Sequence, residues 1–181
     1  MTGFILGVII IIFGITAFVS FKQLAQARNS VDTAWHNEIS EFERRREIIP
    51  SIIELLRLSD AATADKMAET LRTRLGNATA TAIQDVTVHE NEVSKEIRNL
   101  VIVTAGFPGV SGALEFHNLA QRLIESEDRI DSARKNYNNA VAAYNKTRSK
   151  WPMSVLASLL DYHREDFFEV EYATERTPSK A

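Results

Sequence analysis

Apolar and polar positions alternate in three different ways along this chain. From Gly3 to Phe21 the sequence reads GFILGVIIIIFGITAFVSF, without a charge until Lys22. Nineteen residues at about 1.5 Å each give roughly 28 Å of helix, close to the ~30 Å hydrocarbon core of a bilayer. The pattern predicts a transmembrane anchor that presents Phe4, Ile5, Leu6, Val8, Ile9, Ile10, Ile11, Ile12, Phe13, Ile15, Phe18, Val19 and Phe21 to lipid. Ala25-Gln26-Ala27 has the small-x-small form of a signal-peptidase site. No basic residue precedes the apolar run, however, and the run exceeds the usual 7–15 residues of a cleaved leader, so a retained anchor is expected.

Beyond Lys22 the period becomes that of an amphipathic helix. Leu24, Ala27, Val31, Trp35, Ile39 and Phe42 recur at threes and fours, and Ile49, Ile52, Ile53 and Leu56 resume the stripe. The helix is expected to run from Lys22 to Leu58, kinked or broken at Pro50, whose ring and missing N–H oppose a continuous ladder. Ser59-Asp60 offers an N-cap to a weaker segment, 61–80, with Ala64, Met67, Ala68, Leu71 and Leu75 on one face. A further pattern covers 84–104 through Val86, Val93, Ile97, Leu100 and Val101. AGFPGVSG then reads as a turn by composition, and it lacks the spacing of a phosphate-binding loop.

The third regime is a heptad. Phe116, Leu123, Ile130, Tyr137 and Tyr144 follow at sevens, with Leu119, Ser126, Ala133, Ala140 and Thr147 three residues after each. Such an a/d seam calls for a partner helix, with Arg122, Glu127, Arg129 and Arg134 flanking it at e and g, where interhelical ion pairs form. Tyr137 and Tyr144 are expected to bury their rings and send their hydroxyls to an edge. The adjacent Asn138 and Asn145 can bind a carboxylate or backbone on a neighbouring helix or subunit. Trp151-Pro152 stops the helix, and the apolar segment after it either covers the bundle end or rests on lipid, with packing favoured by its acids Glu165, Asp166, Glu169, Glu171 and Glu175. The predicted fold is all-α: an anchor at 1–21, an elongated antiparallel helical bundle of two long and two shorter helices at 22–150, a bundle-covering tail at 151–175 and a disordered C-terminus at 176–181.

Composition narrows the chemistry. The net charge of −3 argues against nucleic acid, and zero Cys removes thiolate catalysis and thiolate metal sites. None of the four His has a Glu three residues before it, and His89-Glu90 lacks the second His of a zincin. No catalytic, metal or cofactor site is therefore expected, and no enzyme. Arg44, Arg45 and Arg46 fan around their helix and cannot form one patch. One is expected to pair with Glu41, Glu43 or Glu47, and another to reach the bundle interior or a neighbouring subunit. With Lys22 and Arg28 on its C-terminal flank, the anchor is expected to cross the cytoplasmic membrane once, with its N-terminus outside and the body in the cytoplasm.

These residues also carry a resemblance. Ala34-Trp35, then RRREIIPSIIELL (with Arg44, Arg45 and Pro50), then FPGVSGALEFHNLAQRLIESEDRIDSARKNYNNAVAAYN and WPMSVLASLLDYHREDFFEV, in that order behind a membrane helix, resemble the LemA family of bacterial membrane proteins. Ser51 departs from the Asn common in the family after the Pro, and 60–98 matches least. The resemblance implies a single-pass anchor, a helical body and no established activity. Through a magnetosome-membrane protein similar to this family, it also suggests a role in shaping or organising membrane. Two roles are open at this point. One is a scaffold that assembles with copies of itself, for which exposed Ala120, Val141 and Ala143 at e and g would be the contact. The other is a monomeric adaptor that docks an unknown protein partner on the Asn138 and Asn145 edge.

Overall fold

The computed structural model describes residues 1–76 and 83–168, which are helical throughout apart from turns and one closing run. Seven helices follow one another among them: α1 (Thr2–Arg46), α2 (Ile49–Ser59), α3 (Ala61–Gly76), α4 (Ile83–Ala105), α5 (Pro108–Ser111), α6 (Leu114–Arg148) and α7 (Met153–Leu159). The all-α expectation holds. The end of the segment read as 61–80, the acids Glu169, Glu171 and Glu175, and the terminus at 176–181 lie outside the described residues.

The helix expected from Lys22 to Leu58 is interrupted, and four residues ahead of Pro50. A proline ring collides with the carbonyl of residue i−4 and supplies no N–H; that carbonyl belongs to Arg46, where α1 ends. Glu47 and Ile48 form the turn, held by Ile48 N–H to Arg45 O at 3.2 Å, and Pro50 then sits in the first turn of α2. Asp60 caps α3 as read: its Oδ1 accepts from the N–H groups of Ala62 and Thr63, each at 3.1 Å, and its Oδ2 from the Thr63 hydroxyl at 2.7 Å. These bonds to Thr63, then to Ala62, hold the Asp60 carboxyl below its ordinary range. The stretch read simply as a turn contains α5, started by Pro108 at its first position, and buries Val110.

The helices divide between two compact units. One comprises Glu38–Arg134 with Phe168. Its core joins Ile49, Ile52 and Leu56 of α2, Ala64, Met67 and Leu71 of α3, Val93, Ile97 and Leu100 of α4, and Phe116, Leu119 and Leu123 of α6. Every one of these apolar positions lies on the stripes legible in the sequence. Here α1 and α6 run antiparallel, since Glu38, Glu41 and Arg45 meet Arg134, Arg129 and Glu127 in descending order.

The other unit comprises Met1–Asn37 and Lys135–Phe167. Leu24, Val31, Tyr137, Val141, Tyr144 and Ala157 are buried in it. The chain is again antiparallel, with the Trp35 ring tilted against Tyr137 at 5.5 Å and Arg28 level with Tyr144. The seam of α6 deviates from strict sevens here: Val141, expected to be exposed at e, is fully buried, while Ala140 at d is half-buried. A straight helix drifts about 20° per heptad, so the buried stripe of α6 departs from strict sevens by Val141.

Candidate functional site

Two polar constellations stand out, one in each unit. The first grows from the heptad of α1. Leu24, Val31, Glu38 and Arg45 are spaced by seven, and all four are buried, although the last two carry charge. Arg45 occupies the last turn of α1, fully enclosed. Its guanidinium donates to Glu90 Oε2 at 2.7 Å, to Glu127 Oε1 at 2.9 Å and to Ser94 Oγ at 2.6 Å, and lies over the Phe42 ring at 5.6 Å. Arg46 holds the second oxygen of Glu90. Glu90 and Ser94 are one turn apart on α4, so both present to the same guanidinium. Two arginines thus face two carboxylates, and the charge balances where desolvation makes balance necessary.

Glu38, one heptad before Arg45, is different. It is buried, and among the described residues neither carboxylate oxygen has a hydrogen-bond partner. Arg134 Nε stands 3.8 Å away, close enough for attraction but too far for a hydrogen bond. Arg134 divides itself between this contact, an ion pair to Asp131 at 3.1 Å and the face of Phe168 at 5.0 Å. Burial pushes the Glu38 carboxyl up to about 7; Arg134 works against that rise and Glu90 adds to it. Glu41 completes the row: it accepts from Arg44 at 2.6 Å and Arg129 at 3.1 Å.

The second constellation involves the two Tyr-Asn pairs. After α7 the chain reverses at Asp161 (φ 55°), with Tyr162 N–H closing onto Ala157 O at 2.9 Å, and then runs without helix from 162 to 168. Residues of α6 hold that run by its main chain. The Tyr144 hydroxyl donates to His163 O at 2.9 Å and the Tyr137 hydroxyl to Asp166 O at 3.0 Å. Asn145 acts like a second strand: its Nδ2 donates to Glu165 O at 2.8 Å while its Oδ1 accepts from Glu165 N–H at 3.1 Å. Arg148 Nε donates to Tyr162 O at 2.6 Å. Burial raises the Tyr144 phenol, partly offset by Arg28, so it stays a donor. Arg28 secures the other flank through Glu165 at 3.5 Å and the ring of Tyr162 at 4.9 Å.

The residues singled out in the sequence are therefore separated. Phe116, Leu119, Leu123, Ile130 and Ala133 are buried, the first three of them in the helical core. Tyr137, Tyr144 and Asn145 clamp the chain's own closing segment, and Asn138 beside them is half-buried and also engaged. Trp35 packs on Tyr137, Arg44 pairs on the surface, Arg45 is interior, and Pro50 sets the α1–α2 break. The anchor residues Phe4 to Phe21 are exposed, and this helix is long and apolar enough to cross a membrane. Glu38, Glu90 and Ser94 were not anticipated. Their signal was the heptad continuing past Val31 in polar letters, and the phase that Glu90 and Ser94 share with Val93 and Ile97. Among the described residues no group of His, Asp or Glu is disposed to hold a metal ion.

The sequence model of the LemA family matches residues 34–180. The chain belongs to the LemA family. That span takes in both Tyr-Asn pairs, Arg45 and its partners, and the closing run; the apolar stretch lies ahead of it. Among relatives of this LemA protein, the magnetosome protein MamQ of Magnetospirillum gryphiswaldense is 24% identical over 180 residues, covering 84% of this chain and 63% of the relative. Two more from Paramagnetospirillum magneticum, magnetosome proteins MamQ 1 and MamQ 2, are each 31% identical over 70 residues, 39% of this chain and 26% of theirs. The chain thus spans less than two thirds of the length of these relatives. With its apolar N-terminal helix, it is a membrane-associated helical member of the family.

Proposed function

We propose that this LemA protein is a single-pass, membrane-anchored helical scaffold that assembles with copies of itself to organise or shape the bilayer, without catalysis. The observation that carries this reading is α1, a single helix Thr2–Arg46 that begins with the lipid-compatible run. Copies packed side by side along such a helix would impose their spacing on the bilayer. Both polar constellations are spent within the chain, on ion pairs and on main-chain capture, which fits a structural role. The likeness to proteins named for the magnetosome points the same way. Lys22 and Arg28 favour a body on the cytoplasmic side.

The adaptor reading loses its docking edge, because Asn145 is occupied by Glu165. Of the three small residues considered as a contact between copies, Val141 is buried, Ala120 half-buried and Ala143 exposed. The deciding measurement is the mass of the full-length protein in mild detergent, with imaging of the particles. A discrete large particle that Ala143→Glu dissociates is expected. A stable monomer at all accessible concentrations overturns the scaffold.

A further inference from the structure

The segment between α6 and the clamped run, residues 149–161, begins and ends at one level of the molecule. Arg148 and Tyr162 are joined by the 2.6 Å bond, and Tyr162 lies on Arg28. In this unit α6 runs antiparallel to α1. Whatever α6 leads into at Arg148 therefore lies on the side of Arg28 that faces the apolar run. Arg28 is seven residues past Phe21, or about 10 Å along the helix. A segment leaving and returning at that level has only the headgroup layer to occupy. Burial on α1 agrees: Leu24 is fully enclosed and Ser20 is 4% exposed, while Phe18, Val19 and Phe21 beside it are open.

Within this segment α7 turns Ala157 inward and an apolar face outward. Val155 and Leu159 are spaced by four and share that face, and Trp151 stands in the turn just ahead of the helix; the three are 52%, 77% and 74% exposed. Lys150 precedes the face and Lys22 stands on α1, its ammonium 5.2 Å from the Phe18 ring centroid, as when a lysine stem follows an apolar surface towards water. Tryptophan next to lysine is the composition favoured at the edge of a bilayer.

We infer that α7 is a second membrane contact, an interfacial helix that lays Trp151, Val155 and Leu159 into the lipid surface around the point where α1 emerges. The inference rests on the reading of α1 as a membrane anchor. The occupant is lipid: the segment lies on the side of Arg28 that faces the apolar run of α1, and the anchor holds that level at the bilayer. A seven-residue helix binds lipid weakly on its own. Tethering makes its insertion an intramolecular event at high effective concentration. Two contacts in place of one also fix the tilt and rotation of α1, which a single apolar helix does not.

The test uses full-length protein in phosphatidylcholine vesicles whose acyl chains carry bromine near the headgroup. Trp35→Phe leaves Trp151 as the sole indole, and flotation with the vesicles scores the anchor separately. The expected result is flotation with a blue-shifted Trp151 emission about half quenched, as for an indole ~5–10 Å into the interface. Val155→Glu with Leu159→Glu should abolish quenching and leave flotation intact. Because the chain has no Cys, Val155→Cys carrying an environment-sensitive dye gives a second reading with Trp35 in place. Flotation with unquenched Trp151 and an unshifted dye overturns the inference and leaves the anchor standing. Blue-shifted but unquenched emission also overturns it, since the face is then covered by protein. Failure to float overturns anchor and inference together.

Discussion

Arg45 and Asn145 both hold distant parts of the chain, by opposite means. Arg45 binds side chains: two carboxylates and a hydroxyl, all ordered and mostly desolvated around one cation. Asn145 binds main chain, giving one donor and one acceptor to the peptide groups of a single residue. The first arrangement is demanding, because each ion removed from water needs its partner and an unpaired remainder is severely penalised. The second is tolerant, because neutral amide bonds exchanged for water bonds carry modest net free energy. The molecule thus has one polar site where a single loss propagates and another where loss stays local.

The most damaging single change should be Arg45→Met. It leaves Glu90 and Glu127 without their central cation, and about 3–5 kcal/mol of unfolding free energy should be lost, read by denaturant unfolding in detergent. Adding Glu90→Leu should recover much of the loss by removing the stranded charge. A loss below about 1 kcal/mol would place Arg45 with exposed ion pairs and erase the contrast.

Glu38 sharpens the comparison, as a buried carboxyl with no full partner. Burial lifts it from the ordinary 4.5 to about 7, so folding takes up a proton between those values. That contribution is fully present below about pH 4.5 and lost as pH rises through about 7. It amounts to roughly 3 kcal/mol. Subtracting the pH profile of Glu38→Gln from that of the wild type isolates it; parallel profiles would show that the Glu38 carboxyl titrates alike in the folded and the unfolded chain.

Asn145→Ala should have the smallest effect. Losing both bonds to Glu165 should cost about 2 kcal/mol, confined to the closing run, with roughly 30-fold faster hydrogen exchange at the Glu165 amide. Equal acceleration in α2 and α4 would mean that the clamp is as coupled as the Arg45 cluster.

What the sequence disclosed follows from the same contrast. Apolar periodicity located the core faces of α2, α3, α4 and α6, because burial of those side chains repeats with the helix. The Asp60 cap and the apolar run of α1 were legible for similarly local reasons. The Arg45 cluster was legible only in part. Three adjacent arginines had to face different ways, so an interior one was foreseeable, but its partners lie on α4 and α6, and no local pattern encodes that meeting. The apolar stripe of α1 runs through Ile39, which is half-buried, whereas the buried position beside it, Glu38, carries a carboxylate that no apolar pattern marks. The Tyr-Asn repeat announced hydrogen-bonding capacity at an edge; its satisfaction by main chain required the fold.

The clamp on 163–166 has a consequence for how this protein varies. Tyr144, Tyr137 and Asn145 grip carbonyls and an N–H, atoms that every residue except proline supplies in full. The grip itself therefore makes no demand on the side chains at His163, Arg164 and Asp166, while it depends on those of Asn145 and the two tyrosines. Proline is barred from position 165, whose N–H is held by Asn145 Oδ1.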